Sequence, residues 1–122
     1  LSNWDRCAVQ LTRRYLLLTS CDGQKVIAKI TIPDILTVMR QPATGDHPYT
    51  VRLQVDFAER SVNGVVLFLQ FSLSVNDENN IKVFQSYLEE IIKTSNQVRL
   101  RTHEMIFNRN NVDVALRAPA DF

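Results

Sequence analysis

Arg13-Arg14-Tyr15-Leu16-Leu17-Leu18-Thr19 opens a run of apolar strands, and Arg14–Ser20 reads as the second of them. Just before it, Cys7, Val9 and Leu11 alternate with Ala8, Gln10 and Thr12, the period of a half-buried strand. Just after it, Asp22-Gly23 is a hairpin turn signal. Lys25–Ile32 then puts Val26, Ala28, Ile30 and Ile32 on one face and Lys25, Ile27, Lys29 and Thr31 on the other. Pro33 has no N–H to donate, so it marks a bend, an edge or a strand end. Asp34–Arg40 continues as a further strand, with a helical turn as the alternative.

Further out, Pro42, Gly45 and Pro48 make residues 41–49 a loop. Thr50–Phe57 has the cleanest alternation, with Val51, Leu53, Val55 and Phe57 inward. Ala58–Gly64 reads as a turn ending in Asn63-Gly64. Val65–Leu73, apolar on nearly both faces, reads as a central strand covered twice. Asn76 or Asp77 can cap an amphipathic helix that runs to Thr94 on a stripe of Ile81, Phe84, Leu88 and Ile91. Gln97–Ala118 reads as two short extended pieces around a polar Asn108-Arg109-Asn110-Asn111 turn, either a hairpin or a loose tail. Many short strands followed by one helix predict a mainly β fold with one C-terminal helix, a small barrel or sandwich with a helical plug.

At 122 residues, 45% hydrophobic and 22% charged, the chain is expected to be one globular domain over 1–122. A net charge of +1 supplies no whole-molecule field, so any attraction to anions must come from a local patch. The start at Leu1 rather than Met leads us to expect a piece of something longer, with any lipid anchor elsewhere. Cys7 and Cys21 fit buried free thiols of an intracellular protein, with a disulfide as the alternative. Their spacing from His47 and His103 gives no zinc pattern. The apolar runs fall far short of the ~20 residues that cross a bilayer. The expectation is a cytoplasmic domain, soluble or peripheral on the cytosolic face of a membrane.

The order of strands, tight turn, strands and closing helix resembles the pleckstrin-homology superfold. Arg13–Thr19 looks like that family's basic-basic-aromatic-aliphatic second strand. Ile32-Pro33-Asp34-Ile35-Leu36-Thr37-Val38 looks like its fourth, and the helix ending at Lys93 sits where the family keeps its capping helix. The resemblance spans about residues 6–94 and implies a seven-strand barrel or sandwich capped by the amphipathic helix, with 95–122 as a C-terminal extension. It also implies a non-catalytic membrane module without a cofactor. Two departures stand out: Phe84 or Leu88 replaces the family's helical tryptophan, and the first two strands are joined almost directly. Thr12 stands where the first basic residue of the phosphoinositide motif would be, and Arg14 alone matches it.

The candidate site is therefore a shallow basic patch of Arg13, Arg14, Lys25 and Lys29. Guanidinium forks suit phosphate, and each cation near an anionic surface contributes about 1 kcal/mol. The same four also read as ordinary solvated side chains. Arg40 and His47 could extend the patch. Arg99, Arg101, Arg109 and Arg117 give the C-terminal segment a basic character, either for an acidic lipid or partner or as charge guarding an edge hairpin. Trp4 reads as packing over the end of the barrel or as inserting at a membrane interface. Three glycines leave no phosphate-loop signature, and Glu89-Glu90 are a poor acid/base pair, so no enzyme is expected. Basic and aromatic residues are not interleaved as nucleic-acid stacking requires. The leading expectation is docking on acidic phospholipid, phosphatidic acid-type or phosphoinositide. The alternative is a protein-interaction scaffold using the helix groove or a sheet edge.

Overall fold

The computed structural model describes residues 4–40, 50–58, 61–71, 77–94 and 105–117. Seven strands form one antiparallel sheet: β1 (Asp5–Thr12), β2 (Tyr15–Thr19), β3 (Val26–Thr31), β4 (Ile35–Arg40), β5 (Thr50–Phe57), β6 (Val62–Gln70) and β7 (Met105–Arg117). A 3-10 turn, Ile32–Asp34, joins β3 to β4, and the helix α1 (Asp77–Thr94) lies between β6 and β7. The sheet order is β3-β2-β1-β7-β6-β5-β4. Directions alternate across it, so the edge strands β3 and β4 run in the same sense. Ile32–Asp34 is therefore a corner that carries the chain from one edge of the sheet to the other. The four peptide steps from Thr31 to Ile35 span at most about 14 Å, so the sheet curls until its edges meet at that corner.

Five sequence expectations are corrected. The helix is not C-terminal: six strands precede it, and β7 follows it and inserts between β1 and β6. The sheet does not close into a barrel among the described residues. Pairing β3 with β4 would be parallel, and parallel neighbours need a crossover far longer than the Ile32–Asp34 turn. The supposed extension also supplies core: Val112 and Val114 are buried on β7, opposite Cys7 and Asp5 of β1. Asn108–Asn111 is no hairpin turn. Cys7 faces Val112 while Val9 faces Arg109, so β7 carries one extra residue there, and Asn111 adopts φ 58°. A bulge needs the left-handed conformation that asparagine tolerates, as a turn does. The same ambiguity moved the start of β6. Asn63-Gly64 lies inside the strand as a bulge opposite Asp56, with Gly64 at φ 72° and its N–H donating to Asp56 Oδ1 at 2.7 Å. The bend falls instead at Ala58 and Ser61, whose N–H donates back to the Ala58 carbonyl.

The inner face of the curled sheet carries the expected stripe of Val51, Leu53 and Val55 on β5, and with it Leu16 and Leu18 of β2. Ala28, Ile30 and Ile32 also turn to the core, whereas Val26, at 59% exposure, lies beyond it. Helix α1 lies against β4, β5, β7 and the corner, burying Ile81, Phe84, Leu88 and Ile91. Phe84 meets Phe71 at 5.4 Å and Phe107 at 5.1 Å between ring centroids, and Phe71 meets Phe107 at 5.9 Å. These tilted and edge-on contacts lock the end of β6, the helix and β7 together. The expected loop over 41–49, His47, Leu73, the Asn76 cap, Arg99, Arg101 and His103 lie outside the described residues.

Candidate functional site

The link between β1 and β2 is only Arg13-Arg14, so these residues form the tip of a hairpin rather than the start of a strand. Two-residue hairpins favour positive φ at their central positions, which bulky residues resist. Neither arginine has it. Thr12 supplies the closure instead: its hydroxyl accepts from the N–H groups of Arg14 and Tyr15, both at 3.2 Å, and donates to the Tyr15 carbonyl at 3.4 Å. Thr12 is buried, so this local network is partly shielded from water. The Arg14 carbonyl in turn accepts from the Ile32 N–H at 2.9 Å, seating the hairpin tip on the corner.

The corner has its own logic. Pro33 sits in the first positions of the 3-10 turn, where no N–H is needed, and Ile35 N–H closes the turn on the Ile32 carbonyl. Ile35 faces Val55 and Thr37 faces Gln54, leaving Leu36 as an extra residue in a bulge. Leu36 is 47% exposed there, and Met39 further along β4 is 48% exposed. On the other side of the tip, Lys29 points outward from β3 with Nζ 4.6 Å from the centre of the Tyr15 ring, a cation–π contact. Arg14 is exposed and Arg13 half-buried. The fold thus sets Lys29 over Tyr15, the residue that follows the Arg13-Arg14 tip in the chain, and seats that tip on the turn that leads to the exposed Leu36.

Lys25 belongs to the opposite end of β2. Its N–H donates to Ser20 Oγ at 3.0 Å and its carbonyl accepts from the Ser20 N–H at 2.8 Å, closing the β2–β3 turn. Gly23 turns that link at φ 75°, and Asp22 braces it by accepting from Ser20 Oγ at 2.6 Å and from the Gln24 N–H at 3.0 Å. The Ser20 hydroxyl and then the Gln24 N–H hold the Asp22 carboxyl below its usual range. Six residues of extended chain put Arg14 and Ser20 roughly 20 Å apart. Lys25 lines an open hollow of about 420 Å³ with Asp5, Arg6, Ser20, Val26 and Ile27. Arg6 of that hollow pairs with Asp113 at 3.5 Å.

Sequence reasoning missed Leu36 and Arg6. The adjacent apolar pair Ile35-Leu36 after Pro33 breaks strict alternation, and that break was the available signal for a bulge. Arg6 gave none, because its link to Lys25 depends on how β1 and β3 flank β2. Arg40 lies half-buried at the end of β4, opposite Val51, and Arg109 and Arg117 lie on β7 rather than in a basic tail. Trp4 packs against Phe68, ring centroids 6.3 Å apart, on the outer face of the sheet. Among the described residues no group of three or more His, Cys, Asp or Glu side chains could hold a metal ion, and no helix is long and apolar enough to cross a membrane. Compared with known proteins, the chain matches no family model, no curated protein and no solved structure.

Proposed function

We propose that this chain is a non-catalytic module that docks on membranes carrying acidic phospholipid, with the Arg13–Leu36 corner as its contact surface. The observation that carries the reading is the hydrogen bond from Ile32 N–H to the Arg14 carbonyl, which seats the Arg13-Arg14 tip on the turn that leads to the exposed Leu36. Guanidinium groups take phosphate in two-pronged hydrogen bonds, Lys29 adds a point charge, and Leu36 supplies apolar surface for the acyl boundary. A tip of two arginines with one lysine suits a simple headgroup such as phosphatidic acid better than a polyphosphoinositide. Three cations at about 1 kcal/mol each give modest, salt-sensitive attachment, so a second membrane signal is expected to act with it.

The test is co-sedimentation with vesicles that are neutral or carry phosphatidic acid, phosphatidylserine or phosphoinositide, at two salt concentrations. Binding to an acidic vesicle should weaken with salt and be lost in a folded Arg13→Glu/Arg14→Glu variant. Lys25→Glu should change it little, because Lys25 lies at the other end of β2. Absence of binding to every vesicle would overturn the lipid reading. The second reading, a protein-interaction scaffold, would then take its place. It is favoured by β4, an edge strand with no charge from Ile35 to Met39 and two exposed apolar side chains, against which α1 packs with Tyr87 exposed. Such an edge suits strand addition by an extended partner.

A further inference from the structure

Cys7 and Cys21 are both free thiols, one fully buried on the inner face of β1 and one exposed in the β2–β3 turn. Two independent paths bring them to the same end of β1. The β1–β2 ladder ends with Ala8 facing Thr19, one residue after Cys7 and two before Cys21, and the turn that starts at Ser20 takes Cys21 out of the pleat. Strand spacings of about 5 Å across and about 3.3 Å along put the two Cα atoms on the order of 6 Å apart, a separation that a disulfide spans when the turn, rather than the pleat, aims the Cys21 sulfur. Across the β1–β7 ladder, Cys7 faces Val112, and the residue before it, Asn111, holds its Oδ1 3.8 Å from Cys21 Sγ. Asn110 Nδ2 donates to the Cys21 carbonyl at 3.3 Å, pinning the turn to the β7 bulge. Burial, then the charges of Asp5 and of Cys21 itself, push the Cys7 thiol up to about 11, as expected of two sulfurs that sense each other.

We propose that Cys7 and Cys21 are a thiol pair that closes to an intramolecular disulfide when the protein meets a peroxide. The exposed Cys21, as thiolate, attacks one peroxide oxygen and releases hydroxide, leaving a sulfenic acid. The Cys7 sulfur then attacks the Cys21 sulfur and water leaves. In sum, two thiols and one hydrogen peroxide give one disulfide and two waters. The bond ties the β2–β3 turn to β1 and encloses the hairpin that carries Arg13 and Arg14. A thiol reductant reverses it by exchange.

Treatment of the folded chain with hydrogen peroxide, followed by intact mass and a non-reducing peptide map, tests this. The expected result is a loss of about 2 mass units, a Cys7–Cys21 cross-linked peptide, and full reversal by dithiothreitol. Cys21→Ser, a change at an exposed site, should abolish the loss. Cys7→Ala should accumulate a sulfenic acid on Cys21 that dimedone traps, whereas the unaltered chain should not. In the unaltered chain, oxygenated Cys21, or Cys21 joined to a second copy, with Cys7 still alkylatable after unfolding, would overturn the proposal.

Discussion

The aromatic triangle of Phe71, Phe84 and Phe107 and the corner built by Thr12, Arg14 and Ile32 hold the molecule together in opposite ways. The triangle joins the end of β6, the helix and β7, is buried, and depends on area removed from water. The corner joins the β1–β2 tip to the turn after β3, sets the exposed Arg14 on a buried Thr12 and Ile32, and depends on a few oriented hydrogen bonds around one hydroxyl. Stability and docking are thus expected to reside in separate regions. Damage to the triangle should cost fold without specificity, and damage to the corner should cost binding without fold.

The largest expected effect falls on the triangle. Phe84→Ala removes a fully buried ring that touches both other aromatics, and should lower unfolding free energy by about 3–5 kcal/mol in urea titrations. A cost below about 1 kcal/mol would mean that the helix does not fasten β7 to the sheet. The interior also has a pH signature. The Cys7 thiol is raised from 9.0 in the unfolded reference to about 11 in the fold, so the folded state favours the protonated form. That contribution is complete below pH 9 and is lost as pH rises toward 11. Stability should then fall by about 1.4 kcal/mol per pH unit across that window, and Cys7→Ala should flatten the slope.

At the corner the order reverses. Arg13→Ala/Arg14→Ala should leave thermal stability within about 0.5 kcal/mol, yet weaken attachment to phosphatidic acid vesicles by about 2 kcal/mol, near thirtyfold at low salt. An equal loss of stability would break the separation, because the arginines would then be holding the fold.

Most strands were legible because one face of each is buried: Val51, Leu53 and Val55 alternate with polar neighbours, and burial on one side forces that period. The helix was legible for the same reason, at its own period, through Ile81, Phe84, Leu88 and Ile91. What was not legible is where β7 goes. Strand pairing over such a separation leaves no local mark, and the polar Asn108–Asn111 run looks like a turn because a bulge and a turn ask the same conformation of the backbone. Asn63-Gly64 misled in the same way. At the site, the composition of the basic set could be read from sequence, but its grouping could not. Arg14 and Lys25 bracket one strand, and only its length of extended chain reveals that they cannot share a headgroup.

Thr12 belongs to both regions and so gives the finest test of their separation. Its side chain is buried with the core, and its hydroxyl ties the Arg13-Arg14 tip. Thr12→Val keeps shape and burial but removes the hydroxyl, leaving two N–H groups without that acceptor. The expected cost is about 1 kcal/mol of stability, read as a lower urea midpoint at unchanged slope, since the tip remains near enough to solvent for water to replace part of the network. Vesicle binding should fall with it, because the tip loses its fixed seat beside Ile32 while keeping both charges. Thr12→Ser, which restores the hydroxyl and drops only a methyl, should recover binding more completely than stability. If valine lowers stability and leaves binding intact, the arginines act as free charges and their placement on the corner does not matter for docking.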